Sequence, residues 1–155
     1  MTFAELPAAL RASASSETGQ RGNPMGKQSD HTPPRRVERG EVDVRHDAPG
    51  IAVVTMRGEH DLSTTPEVAD ALAAAAAHSS VIVDLSGCSF IDSTIIKELM
   101  KWHRIVGAND DSFAVVIPPT QGQVRRVAEL ARLGDHFELH ASESSALAAI
   151  ARAQP

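Results

Sequence analysis

The chain has 155 residues, 42% of them hydrophobic and 3% aromatic, which is enough for one domain with an aliphatic core. Its formal net charge of −5 argues against a nucleic-acid-binding protein, which usually presents a basic face. The single cysteine, Cys88, excludes an internal disulfide and is interpreted as a small core or loop residue. No apolar run approaches the roughly 18 residues needed to span a membrane, and the N-terminus lacks a signal peptide. We therefore expect a cytoplasmic protein.

The first 40 residues differ from the rest of the chain. Residues 13–30 are mainly Ser, Gly, Gln, Asn and Lys, and the sequence PPRR follows at 33–36. A segment with so few apolar side chains buries too little surface to offset the entropy lost on ordering. We predict a disordered N-terminal extension over residues 1–40 and a folded domain over residues 41–152.

Residues 41–45 begin the regular part of the chain. They alternate polar and apolar side chains, as a half-exposed edge strand does. A turn sequence at 46–50 separates them from an apolar strand at 51–57. The two strands are therefore predicted to form a β-hairpin.

An alanine-rich helix is predicted next. Ser63 or Thr64 is the expected N-cap, with Glu67 in the capping-box position three residues after Thr64. Seven of the nine residues from 69 to 77 are alanine, so the helix should run to about His78.

A buried strand and an amphipathic helix follow. The apolar run at residues 81–85 is typical of a central parallel strand that is covered on both faces. The helix is predicted from about Ser93 to Val106. Its buried stripe consists of Ile95, Leu99, Trp102 and Val106, widened by Ile96, Met100 and His103.

The remaining elements continue the alternation of strand and helix. Residues 113–117 predict a buried strand, and residues 124–131 predict a helix that is followed by Gly134 as its C′ residue. A short strand at 136–140 and a helix at 142–151 complete the chain. Strands that alternate with helices imply parallel pairing through crossovers, and hence an α/β domain.

Two polar clusters each close an apolar strand. The sequence GEHDL occupies residues 58–62, and CSFIDSTIIK occupies residues 88–97. We expect both clusters to lie on one functional surface at one edge of the sheet. Asp92 and Ser93 stand where the second cluster gives way to a helix, so Asp92 is a candidate N-cap and Ser93 a helix-start hydroxyl.

Enzyme and metal sites have little support in the sequence. It contains no Gly-x-Ser-x-Gly elbow, no Gly-rich phosphate loop and no His-Glu-x-x-His motif. A serine hydrolase would need a base near Ser93, and His60 is the one candidate on the same predicted edge. His136 and His140 lack a third metal ligand, so a structural role is favoured for both.

These segments resemble the STAS domain of bacterial anti-sigma factor antagonists over roughly residues 42–151. Residues 58–62 are similar to the family's Gly-Glu-Leu-Asp segment. Residues 83–86 and 90–94 resemble its strand and phosphorylation loop, and residues 124–134 its third helix and closing Leu-Gly turn. The resemblance implies a single domain with a mixed, mostly parallel sheet, an N-terminal hairpin and about four helices.

The resemblance also implies a function. It makes the chain a regulatory protein-binding module and not an enzyme: an anti-sigma factor antagonist that binds a kinase-type anti-sigma factor. Ser93 would be the phosphorylated residue, and it would contact the partner together with Glu59, Asp61, Asp92 and Thr94. Asp92 would also orient the Ser93 hydroxyl. No cofactor, nucleic acid or membrane insertion is expected.

One departure from the family pattern keeps alternatives open. Members regulated by a kinase usually carry Gly-Leu after the hydroxyl pair, whereas Ile95 and Ile96 stand there in this chain. This difference leaves the fold intact and favours a STAS scaffold of a signalling complex, or a soluble STAS subunit of a lipid transporter. A small serine hydrolase is the more distant alternative.

Overall fold

The structure, a computed structural model, describes residues 38–120 and 122–153. The strands are β1 (Glu41–Ala48), β2 (Ile51–His60), β3 (Ser80–Ile91), β4 (Ser112–Val116) and β5 (Glu138–His140). The α-helices are α1 (Thr65–Ala75), α2 (Ser93–Gly107), α3 (Gly122–Leu130) and α4 (Glu143–Ala153). Short 3-10 helices span Leu62–Thr64 and Leu133–Asp135. This order of elements confirms the predicted α/β fold.

The five strands form one sheet in chain order, β1-β2-β3-β4-β5. β1 and β2 are antiparallel, which confirms the predicted hairpin, and every later neighbour pair is parallel. Val83 in the centre of β3 pairs with Val54 of β2 and with Val115 of β4. The sheet is therefore mixed and mostly parallel, as predicted.

Helices cover both faces of β3. Val81 and Val83 belong to a large buried cluster that includes side chains of α1, α2 and α3. Ile82, which lies between them, belongs to a second buried cluster with Ala146 and Ile150 of α4. Successive side chains of a strand point to opposite faces, so both faces of β3 need apolar residues.

α2 lies against the large cluster along the predicted stripe. Ile95 and Leu99 are fully buried, and Val106 near the end of the helix is also buried. Trp102 is half-buried and packs against the same cluster. The helix therefore presents its apolar face to the sheet.

α1 begins differently from its prediction. Thr64 precedes the helix but makes no side-chain cap bond to it. The carboxylate of Glu67 instead accepts two hydrogen bonds from Arg39, each 2.9 Å long. The predicted capping box between Thr64 and Glu67 is therefore wrong, because Glu67 binds the distant Arg39 and the Thr64 hydroxyl bonds to its neighbours His60 and Asp61.

The end of α1 also differs from its prediction. The helix stops at Ala75, three residues before the predicted end near His78. The chain must turn back here to enter β3, where the N–H of Ser80 donates to the carbonyl of Gly50 over 2.9 Å. The backbone N–H of His78 also donates to the carbonyl of Ala75 over 3.0 Å, so a local turn and the sheet together set this boundary.

The turn after α3 uses a residue that was not predicted. Arg132 adopts the left-handed conformation, with φ of 55°, whereas Gly134 lies inside the second 3-10 helix. The Arg132 side chain pairs with Asp135 at 3.0 Å. The assignment of Gly134 as the C′ residue of the helix is therefore wrong.

The predicted N-terminal extension lies mostly outside the described residues. Residues 38–40 are described, and Arg39 forms a bridge with Glu59 at the end of β2. These residues therefore contact the end of β2.

Leu99→Ala should lower the free energy of unfolding by about 2–5 kcal/mol, because Leu99 is fully buried in the large cluster. Leu130→Ala is a matched control, since it removes the same atoms from a side chain that is 77% exposed. The control should change stability by less than about 0.5 kcal/mol. Urea denaturation measures both values, and equal losses would contradict the packing of α2.

Candidate functional site

The two polar clusters lie at the same end of the sheet. His60, the last residue of β2, pairs with Ile91, the last residue of β3. Asp61 and Asp92 are thus the first residues after two neighbouring parallel strands, which lie about 4.8 Å apart. We call residues 59–65 and 92–94 together the loop surface.

The starts of α1 and α2 meet on the loop surface. The hydroxyl of Thr65, in the first turn of α1, donates to the hydroxyl of Thr94 in α2 over 3.5 Å. The same hydroxyl lies 3.2 Å from the carbonyl oxygen of Asp61, so its single hydrogen is shared between the two acceptors. These bonds connect the chain after β2 to the chain after β3.

Asp92 is the N-cap of α2. Its Oδ1 accepts hydrogen bonds from the Thr94 N–H (3.0 Å), the Thr94 hydroxyl (2.5 Å) and the Ile95 N–H (3.3 Å). Ser93 follows as the first residue of the helix, and its side chain is exposed. The predicted N-cap role of Asp92 is therefore confirmed, and Ser93 is an exposed residue in the first turn of the helix.

Gln123 of α3 holds the strand end that precedes Asp92. Its side-chain carbonyl accepts the Ile91 N–H over 3.1 Å, and its amide N–H donates to the Ile91 carbonyl over 3.2 Å. β4 accompanies β3 only as far as Asp84, so Gln123 takes the place of a neighbouring strand. No local sequence pattern connects Gln123 with Ile91, so this contact was not predicted.

Asp61 caps the 3-10 helix that leads into α1. Its Oδ1 accepts hydrogen bonds from the Ser63 hydroxyl (2.6 Å) and the Ser63 N–H (2.9 Å). These bonds lower the pKa of Asp61 below its ordinary value, the hydroxyl having the larger effect. The exposed carboxylate therefore carries a negative charge at neutral pH.

Glu59 is half-buried where the segment before β1 crosses β2. Its N–H donates to the carbonyl of Glu38 over 2.9 Å. Gly58 makes this crossing possible. Its φ is +80°, and a Cβ there would lie 2.9 Å from the Glu38 carbonyl oxygen and 3.0 Å from that of Arg39. Backbone conformation and close approach therefore explain the glycine that begins GEHDL.

His60, the candidate base for Ser93, is fully buried. Its Nε2 lies 3.0 Å from the Arg57 carbonyl and 3.3 Å from the Glu41 carbonyl, so Nε2 carries the hydrogen. Nδ1 lies 3.0 Å from the hydroxyl of Thr64. Burial lowers the pKa of His60 despite its carbonyl partners. Both nitrogens serve the fold, so the hydrolase alternative loses its base.

The other sequence candidates have structural partners. Cys88 is buried, and burial raises the pKa of its thiol to about 12. His140 is bonded to Glu138 at 2.9 Å. Among residues 38–120 and 122–153, no three His, Cys, Asp or Glu side chains are grouped so as to hold a metal ion. In the same ranges, no helix is both long enough and apolar enough to cross a membrane.

The fold is that of a small α/β domain in which the loops after two neighbouring strands form one polar surface. A family model described as "Mlab, STAS domain" matches residues 44–149. The chain therefore belongs to the STAS-domain family.

Solved structures of anti-sigma factor antagonists share this fold. One from Mycobacterium paratuberculosis is 29% identical, with a TM-score of 0.65, and the match covers 72% of this chain and 94% of that chain. SpoIIAA in its unphosphorylated form is 19% identical, with a TM-score of 0.62 and coverage of 74% and 100%. Bacillus SpoIIAA in its phosphorylated form is 18% identical, with a TM-score of 0.56 and coverage of 71% and 99%. The chain thus has the STAS fold of anti-sigma factor antagonists. No protein of curated function matches it.

Gly58→Ala should destabilise the domain more than Gly50→Ala. The two glycines have φ of +80° and +79°, so each alanine incurs about 1–2 kcal/mol of left-handed strain. A Cβ at Gly50 meets only Ser79, at 3.6 Å, whereas one at Gly58 meets two carbonyl oxygens. That crowding should add about 1 kcal/mol or more in urea denaturation. Equal losses would argue against the crossing of residues 38–40 over β2.

The domain should become less stable as the pH is lowered, and His60 should account for part of that loss. Its folded-state pKa lies below the unfolded value near 6.5, so the unfolded chain binds the proton more tightly. The resulting stabilisation is complete above about pH 6.5 and is lost as the pH falls towards the folded-state pKa.

Urea denaturation at about pH 7.5 and about pH 5.5 measures this effect. When the pH is lowered between these two values, the His60→Gln variant should lose less stability than wild type. His136→Gln replaces an exposed histidine in the same way and should follow wild type. An unchanged pH dependence in His60→Gln would contradict a neutral, buried His60.

Proposed function

We propose that the chain is an anti-sigma factor antagonist that regulates transcription by binding a kinase-type anti-sigma factor through the loop surface. Phosphorylation of Ser93 by that partner ends the interaction. Glu59, Asp61, Asp92 and Thr94 surround Ser93 in the contact. In this role the chain is a ligand and a kinase substrate in the cytoplasm; it catalyses no reaction and uses no cofactor.

The position of Ser93 carries this proposal. Ser93 is exposed in the first turn of α2, and its neighbour Asp92 already caps the helix. The Ser93 hydroxyl is thus not required for the helix start and is open to a kinase. Thr94 is a poorer acceptor for phosphate, because its hydroxyl donates to Asp92 and it is only half-exposed.

Phosphorylation at this position would change the surface without breaking the fold. A phosphoserine adds about −1.5 to −2 charge at neutral pH. Negative charge in the first turn of a helix is favourable by about 0.3–1 kcal/mol, so α2 would tolerate it. Asp61 and Glu59 already make the loop surface acidic, and the phosphate would add to their charge. A partner that fits a neutral hydroxyl would therefore lose affinity.

The SpoIIAA structures are consistent with the proposal. That protein is known in an unphosphorylated and a phosphorylated form. At 18–19% identity, these structures show that the two proteins share a fold. The role of Ser93 rests on its own position and on the DST sequence at residues 92–94.

Ile95 and Ile96 are the feature that favours the alternative function. Their side chains are 0% and 6% exposed and belong to the large cluster, so they stiffen the start of α2 from within. A stiff helix start suits a constant docking surface, as in a STAS scaffold or a STAS subunit of a lipid transporter. In that alternative the loop surface still binds a protein, but Ser93 receives no phosphate.

Ser93→Asp should weaken binding to the anti-sigma factor by about 2 kcal/mol or more, some thirtyfold in affinity, while Ser93→Ala binds normally and accepts no phosphate. Ser144→Asp is the matched control. It places the same charge in the first turn of α4, which packs on the opposite face of the sheet. Titration calorimetry with the partner and a kinase assay with ATP measure both properties.

The outcomes separate the two functions. Equal affinity for wild type and Ser93→Asp would refute the switch. Weakening by Ser93→Asp without phosphate transfer to wild type would retain the interface and favour the scaffold. Equal weakening by Ser144→Asp would mean that the effect of the charge is not local to the loop surface.

A further inference from the structure

Leu62 is a large apolar side chain exposed on the loop surface. It is 69% exposed and lies between two polar residues, Asp61 and Ser63. In the described part of the chain two other large hydrophobic side chains are exposed, Ile105 of α2 and Leu130 of α3. Neither of these belongs to the loop surface.

The backbone that carries Leu62 is held on both sides. Before it, Asp61 caps the 3-10 helix through two bonds to Ser63. After it, the Thr64 N–H donates to the Asp61 carbonyl over 3.1 Å, and the Asp61 N–H donates to the Thr64 hydroxyl over 3.2 Å. The buried Thr64 side chain in turn contacts the ring of His60. Leu62 is therefore presented to solvent by an ordered segment.

An ordered, exposed leucine is suited to binding. Single exposed leucines are common on protein surfaces, so exposure alone carries no function. Leu62 differs from Leu130 because it follows Asp61 directly, on the same surface as Ser93. Since its backbone is already fixed, a partner would bury its side chain without ordering a loop.

The charges around Leu62 indicate what such a partner presents. Glu59, Asp61 and Asp92 belong to the loop surface, and Asp61 is exposed next to Leu62. Arg39, whose charge acts on Asp61, is paired with Glu67. Lys97 is exposed one turn further along α2. The leucine therefore stands in a mainly acidic surrounding, which is complementary to basic groups.

We propose that Leu62 is an apolar anchor of the loop surface and inserts into an apolar pocket rimmed by Lys or Arg side chains on the anti-sigma factor. This inference rests on the proposed function and names a contact within it. In this arrangement Leu62 contributes affinity for the anti-sigma factor, and the charge added at Ser93 controls whether the partner binds. Neither residue can then replace the other in binding.

Titration calorimetry with the anti-sigma factor that binds wild type tests the anchor. Leu62→Ala should weaken binding about tenfold or more, because most of the buried apolar area is lost. Leu62→Met, which keeps an apolar side chain, should stay within about threefold of wild type. Leu130→Ala is the matched control and should bind as wild type does. Thermal unfolding of each variant checks that the domain remains folded.

A second set of binding measurements separates the apolar contribution of Leu62 from electrostatic contributions to affinity. Leu62→Asn keeps the branched shape of the side chain but makes it polar, so it should weaken binding at least as much as Leu62→Ala. The ratio of wild-type to Leu62→Ala affinity should be the same at about 0.05 M and about 0.5 M salt. The corresponding ratio for Glu59→Gln should shrink at the higher salt, because screening removes a charge effect.

The outcomes distinguish this inference from the proposed function. If Leu62→Ala binds like Leu130→Ala while Ser93→Asp still weakens binding, the anchor is refuted and the proposed function stands. If wild type binds no kinase-type anti-sigma factor of its source organism, both are refuted. A loss in Leu62→Ala that disappears at high salt would also overturn the apolar anchor.

Discussion

The parallel pairing of β2 with β3 is the constraint on which the candidate site depends. It brings His60 beside Ile91, and thus places the loops that follow them next to each other. The register is not uniform along these strands. Between the pairs Thr55–Asp84 and His60–Ile91, β3 uses two more residues than β2, in two bulges. Without those bulges Asp92 would lie two positions beyond Asp61, and the loop surface would not form.

The same acidic residues serve the fold and the surface. Asp92 caps α2 and Asp61 caps the 3-10 helix, so each is held by backbone N–H groups at a helix start. Backbone dipoles at helix starts favour negative charge, which makes these positions stable for carboxylates. A phosphate on Ser93 would enter the same environment. The electrostatics that stabilise the loops therefore also make a charge-based switch compatible with the fold.

Contacts from distant parts of the chain hold the loop surface in place. Gln123 pairs with the backbone of Ile91, and the buried ring of His60 contacts Thr64. Residues 38–40 cross the end of β2 beside Gly58. A preformed surface of this kind binds a partner without first paying an ordering cost, and it keeps Leu62 exposed. Rigidity and exposed apolar area together are typical of a protein-binding site.

Local patterns in the sequence determined the elements and their order. Alternation identified β1, the apolar run identified β3, and the spacing of Ile95, Leu99 and Val106 identified the buried face of α2. These signals arise within a few residues, since they depend on which face of an element is covered. The resemblance of residues 58–62 and 90–94 to STAS motifs located the loops. The fold was therefore predictable almost completely.

Only the tertiary structure decided which polar groups meet. Glu67 looked like half of a capping box, but it binds Arg39, 28 residues away in the chain. His60 looked like a possible base, but burial lowers its pKa, and its ring nitrogens are hydrogen-bonded inside the domain. The sequence did not indicate that Leu62 is exposed, because a leucine beside a strand end is as readily buried as exposed. A side chain's partners depend on the packing of the whole domain, whereas its secondary structure depends mainly on its neighbours in the chain.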